Sequence, residues 1–109
     1  MMYEYGAGAP QDYEEAVTWY RMAAEQGYAP GQRHLGVMYA NGHGVPQDLV
    51  RAYMWYHLGT AETPDELLDE RILKERDNIL SRMTAQQIEK AQEMARRCEE
   101  TKFKECDNQ

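Results

Sequence analysis

A chain of 109 residues holds one small domain and one modest core. Its net charge of −7 and pI near 4.9 exclude the basic surface that nucleic acid or an anionic membrane face requires, and no apolar run approaches the roughly 20 residues that cross a bilayer. Ten of the eleven aromatic residues precede Ala61, whereas residues 62–109 hold thirteen of the nineteen acids and nine of the twelve Lys and Arg, so a packed aromatic half is followed by a solvated, helix-favouring one.

In chain order, the first predicted turn carries Gly6 and Gly8, followed by Pro10-Gln11-Asp12. A helix is predicted over Asp12–Gln26, with Ala16, Trp19, Tyr20, Ala23 and Ala24 at the 3–4 spacing of one buried face. Gly27 ends it, and a helix from about Pro30 to Asn41 follows, with Leu35, Met38 and Tyr39 inward and Gly36 permitting close contact. Gly42-His43-Gly44 forms a tight turn, Pro46 stiffens the approach, and Asp48 caps a helix running to about Ala61. Ala52 lets a neighbouring helix approach, and Trp55 and Tyr56 fill the space between helices.

These elements repeat. A shift of 36 residues places Tyr3 on Tyr39, Gly6 on Gly42, Gly8 on Gly44, Asp12 on Asp48, Ala16 on Ala52 and Trp19-Tyr20 on Trp55-Tyr56. Ten of the 21 positions from Met2 to Met22 are identical, far above chance, so the chain is a repeat protein. Beyond Glu62 the repeat lapses. Thr63-Pro64-Asp65-Glu66 predicts an N-cap and the start of a long helix to about Met83, striped by Leu68, Ile72, Ile79 and Met83. Thr84-Ala85-Gln86-Gln87 predicts a capping box for a last helix, striped by Ile88, Ala91, Met94, Ala95 and Cys98. The pair reads as a cap, with an apolar face on the last repeat and a charged face to water.

The pattern Leu35-Gly36-x-x-Tyr39-x-x-Gly42-x-Gly44-Val45-x-x-Asp48-x-x-x-Ala52-x-x-Trp55 resembles the Sel-one-like repeat (SLR), a relative of the tetratricopeptide repeats. The resemblance covers residues 1–61, with two departures: Gly31 stands where a small Ala is usual, and Gly59-Thr60 replaces a second Ala-Ala. It implies an all-α fold, an α/α right-handed superhelix of antiparallel helix pairs with a C-terminal capping pair. The division expected is an incomplete first repeat over 1–27, a complete second repeat over 28–62, the capping pair over 63–100 and a tail over 101–109. On this expectation Met1–Tyr5 is the tail of a first helix and the chain starts within a repeat. Met83-Thr84-x-x-Gln87-Ile88-x-x-Ala91-Gln92 is similar to the endings of many bacterial SLR chains.

Cys98 and Cys106 are the two cysteines. Cysteine-rich SLR proteins use the same spacing for disulfides in exported bacterial proteins, which implies a bridge here. The alternative is one buried and one free thiol. A C-x-x-C metal or redox motif is absent.

His34, His43 and His57 form no His-x-x-x-His pair, so no metal site is expected. The matching first-copy residue for His57 is Arg21, which marks a tolerant surface position. The acidic pairs Glu14-Glu15, Asp65-Glu66, Asp69-Glu70 and Glu99-Glu100 fall on helix starts and outer faces, where a catalytic pair held across a cleft is not expected. No cofactor is expected. Recurrence assigns both tryptophans to the core and leaves the non-repeating positions as functional candidates. In tetratricopeptide-like arrays the first helix of each pair lines a concave groove, which implies Arg33, Val37 and Asn41 as contacts for a protein or peptide. The expected function is therefore a non-enzymatic interaction module, with export favoured over the cytoplasm. Two alternatives are a cell-envelope protein that binds or processes a β-lactam-like or peptidoglycan-like ligand, and a self-associating segment pairing through Met1, Tyr3 and Trp19.

Overall fold

The computed structural model describes residues 12–61, 63–104 and 106. Gly6, Gly8 and the predicted Met1–Tyr5 helix tail lie outside the described residues. Within them the chain forms five α-helices, α1 Tyr13–Glu25, α2 Ala29–Asn41, α3 Leu49–Thr60, α4 Glu70–Ser81 and α5 Ala85–Glu100, with a 3-10 turn at Asp65–Leu67 and no strand. The array is an all-α helical repeat solenoid.

Each second helix of a pair begins on a side-chain cap that satisfies backbone N–H groups left open by the first turn. Asp12 accepts from the Glu15 N–H, Asp48 from the Arg51 N–H and Thr84 from the Gln87 N–H, each over about 3 Å. At Thr84 the Gln87 side chain also accepts from the Thr84 N–H, completing the predicted capping box. The three caps stand 36 residues apart along the chain. The pair α4–α5 therefore keeps the period of a third repeat although its signature residues are gone.

α3 is the central element, packed on α2 to one side and on α5 and α4 to the other. This position removes Tyr53, Met54, Trp55, Tyr56 and Leu58 from water. α1 packs closely on α2 alone among the described helices. Trp19 is consequently 48% exposed while its repeat counterpart Trp55 is fully buried, which corrects the assignment of both to the core. Identical residues at the same register have different surroundings because, among the described helices, only α3 has neighbours on both faces.

The predicted helix from Thr63 is also corrected. Asp65–Leu67 forms one 3-10 turn, Leu68 is extended at ψ 143°, and α4 starts after Asp69, whose carboxylate accepts from the Arg71 N–H at 2.8 Å. Arg76 reaches back to both oxygens of Asp65, at 3.1 and 3.2 Å, and holds the turn beside α4. Two helix-start signals stand six residues apart here, and the later one, adjoining the Ile72–Ile79 stripe, nucleates the helix. Ile79 is buried, and Ile72 and Met83 pack against the core.

Both departures from the repeat pattern are steric requirements. A Cβ at Gly31 would lie 2.7 Å from the Ala23 Cβ, and one at Gly59 would lie 2.6 Å from Arg33 Cγ and 2.9 Å from the Ala29 carbonyl. The turn glycines Gly42 and Gly44 take φ of 67° and 81°, a region costly for side-chain-bearing residues. A disulfide joins Cys98 on α5 to Cys106, both buried, with Cα atoms 4.6 Å apart. Between them Phe103, at φ 68°, lays its ring over Gly27, at 3.1 Å from where a Cβ there would stand.

Candidate functional site

The first helices of the second and third pairs, α2 and α4, stand side by side with a gap between them. Val37, Ala40 and Asn41 share one face of α2 at i, i+3 and i+4 spacing, and Glu75, Asn78, Ile79 and Arg82 share one face of α4 at i, i+3, i+4 and i+7. These faces line a cavity of about 120 Å3. Its walls are Val37 and Ile79; its polar groups are the amides of Asn41 and Asn78, the Glu75 carboxylate and the Arg82 guanidinium.

Each charged group is held from below. The Tyr56 hydroxyl donates to Glu75 Oε1 at 2.7 Å and also lies 3.1 Å from the Ile72 carbonyl. Burial, then the hydrogen bond and charge of Glu75, raise the Tyr56 phenol far above its ordinary value, so it remains a donor throughout the physiological range. Arg82 donates to the Ala40 carbonyl at 3.1 Å, bridging the end of α2 to the end of α4. Gln47 donates to the same carbonyl at 2.9 Å, so the open C-terminal groups of α2 are satisfied beside the cavity.

Of the three residues predicted to contact a partner, Val37 and Asn41 line this cavity together. Arg33 is half-buried and lies one turn further back, where its Nη1 donates to the Gly59 carbonyl at 3.0 Å and ties α2 to α3. Glu75, Asn78 and Arg82 were not singled out from sequence. Their signal is the 75-78-79-82 spacing, which puts polar groups beside Ile79 on one helical stripe.

The remaining candidates are placed elsewhere. His34 stacks on Tyr20 at 4.8 Å between ring centroids, and His43 on Tyr13 at 4.3 Å, so both rings join α1 to the second repeat. His57 is half-buried and tilted against Tyr53 at 5.6 Å, more enclosed than the surface position expected of it. No group of three or more His, Cys, Asp or Glu among the described residues is placed to hold a metal ion. The acidic pairs lie on helix starts and outer faces, several beside a cation: Asp65 with Arg76, Glu70 with Lys74 and Glu100 with Arg96. The Arg76 guanidinium, by hydrogen bond and charge, holds the Asp65 carboxyl below its usual value.

Stacked antiparallel helix pairs with a residue-lined groove between successive first helices define a helical repeat protein, a class that generally serves protein–protein interaction. Sel1 repeats match residues 1–28 and 29–62, and the chain belongs to the Sel1 repeat family. It is also similar, at 28% identity and a TM-score of 0.77, to the crystal structure of a protective antigen present in uropathogenic Escherichia coli strains that displays an SLR fold. The match covers 96% of this chain and 22% of that one, so the chain spans about a fifth of the length of its structural relative. No curated protein matches it in sequence.

Proposed function

We propose that this chain is a non-enzymatic adaptor segment that binds a protein partner in the groove between α2 and α4. The observation that carries the reading is the cavity between Val37 and Ile79, edged by the amides of Asn41 and Asn78. An apolar slot takes a side chain, and amides with both donors and acceptors suit a peptide backbone beside it. Arg33 continues the same face of α2, and Val37 and Asn41 make the direct contacts. The buried Cys98–Cys106 disulfide supports a place in an oxidising compartment, outside the cytoplasm. The test is affinity capture from the source cell, comparing the native chain with a Val37→Glu, Asn41→Ala double variant and with Lys90→Glu on α5. Loss of a partner from the double variant alone is expected. Equal recovery of every partner by all three proteins overturns the assignment.

A second contact, between two copies of the chain, is supported by the exposure of Trp19 and Met22 on one side of α1. Light scattering checks it: a strict monomer at high concentration removes this reading and leaves the groove untouched.

A further inference from the structure

Among the described residues, the charges at the groove have no ion partner. Glu75 accepts a hydrogen bond from Tyr56 and pairs with no cation, and Arg82 donates to a backbone carbonyl and pairs with no carboxylate, among the described residues. On the same pair Lys74 is matched by Glu70, Arg76 by Asp65 and Arg96 by Glu93 and Glu100, whereas these two stand on the face that lines the cavity without an ion pair. They are separated by seven residues, about 10 Å along α4 at a rise of about 1.5 Å per residue. Between them lies the space bounded by Val37 and Ile79, about 120 Å3. That is somewhat smaller than the roughly 150 Å3 apolar cavity that admits a benzene ring. It holds one aliphatic side chain and is too small for two.

From this charge pattern, and resting on the groove assignment above, we infer that the partner is an extended peptide with an aliphatic side chain flanked, two residues to either side, by a cation and a carboxylate. Alternate side chains of an extended chain share a face and stand about 6.6 Å apart, so the flanking charges are about 13 Å apart. The aliphatic group enters between Val37 and Ile79, the cation meets Glu75 and the carboxylate meets Arg82. The long side chains on both partners take up the difference of about 3 Å between the two spacings. The amides of Asn41 and Asn78 pair with the peptide backbone between the charges. A partner with two cations would set one of them against Arg82, and one with two carboxylates would set one against Glu75, so the groove selects by sign at both ends.

The experiment is a fluorescence-anisotropy titration of the full chain with fluorescein-labelled Ser-Lys-Ser-Leu-Ser-Glu-Ser and its reversed form Ser-Glu-Ser-Leu-Ser-Lys-Ser. Glu75→Gln keeps an acceptor for Tyr56, and in Arg82→Gln the Ala40 carbonyl keeps its donor from Gln47. For the direction that binds, neutralising either protein charge, or the matching peptide charge, weakens binding about three- to tenfold. Removing both members of a pair costs little more than removing one. Additive losses across either cycle overturn the charge assignment, as does failure of both peptides to bind. Val37→Glu separates the two readings. If it abolishes binding of the charged and neutral peptides alike while the cycles are additive, the groove stands and the charge pattern falls. If it binds every peptide as the native chain does, both fall.

Discussion

Arg33 and Gly59 hold each other in place: the Arg33 guanidinium donates to the Gly59 carbonyl at 3.0 Å, and the arginine stem lies where a Gly59 Cβ would stand. Two effects therefore oppose each other in Gly59→Ala. Helix propensity favours alanine by about 1 kcal/mol. Contacts of 2.6 Å to Arg33 Cγ and 2.9 Å to the Ala29 carbonyl oppose it, and overpacking of this kind costs about 1–3 kcal/mol. Because one of the opposing atoms is backbone, the steric cost wins. Urea unfolding of Gly59→Ala should give a lower midpoint than the native chain; a higher one means α2 moves aside at little cost.

The two tryptophans make a second, sharper contrast. Trp55→Ala removes a fully buried ring and should destabilise by about 3–5 kcal/mol. Trp19→Ala removes a half-exposed ring and should cost about 1 kcal/mol or less. Fluorescence reports the same difference, since the emission that remains in Trp55→Phe should be red-shifted relative to that in Trp19→Phe. Equal losses of stability would mean that Trp19 is covered in solution.

This contrast shows what the amino-acid sequence encodes and what it leaves to assembly. The repeat signature dictated local structure well: the caps at Asp12 and Asp48, the left-handed turn at Gly42 and Gly44, and the inward face of Leu35 and Tyr39 all follow from residue type and spacing. Burial at Trp19 does not follow, because it depends on which helices stand beside α1. The start of α4 was ambiguous in principle, since Thr63 and Asp69 are both competent caps and only the long-range Arg76–Asp65 contact shows how the intervening turn is held. The α4 wall of the groove was hidden for a similar reason. Glu75 and Arg82 look like ordinary solvated charges until the fold sets Tyr56 and Ala40 beside them.

The disulfide closes a short loop, and replacing Cys98 and Cys106 with Ala should destabilise by roughly 2.5 kcal/mol in the chain-entropy account. The loss should be concentrated at the chain end, where Phe103 in its left-handed conformation covers Gly27. Hydrogen exchange should show faster exchange at the Phe103 N–H, which donates to the Cys98 carbonyl at 2.8 Å. Protection at Trp55 and its neighbours should persist at moderate denaturant. Unchanged stability in the double variant would show that helix packing alone fixes the tail.

His57 makes stability depend on pH. Burial lowers its pKa below the ordinary 6.5, opposed by the charge of Glu99 and assisted by that of Arg76. Above about pH 6.5 the ring is neutral in both folded and unfolded chains, and stability does not respond to it. Between that value and the lower folded one, the unfolded chain takes up a proton that the folded chain refuses. Stability therefore falls as pH falls through this window, and the loss is complete once the folded ring is also protonated. His57→Gln removes the titrating group and should flatten this part of the profile, measured as urea midpoint between pH 7.5 and 5. Carboxylates held by cations, such as Asp65 beside Arg76, lose their stabilisation only at more acidic pH. A native profile that stays level across the window, or a variant profile that keeps the native slope, would show that His57 is not the group responsible.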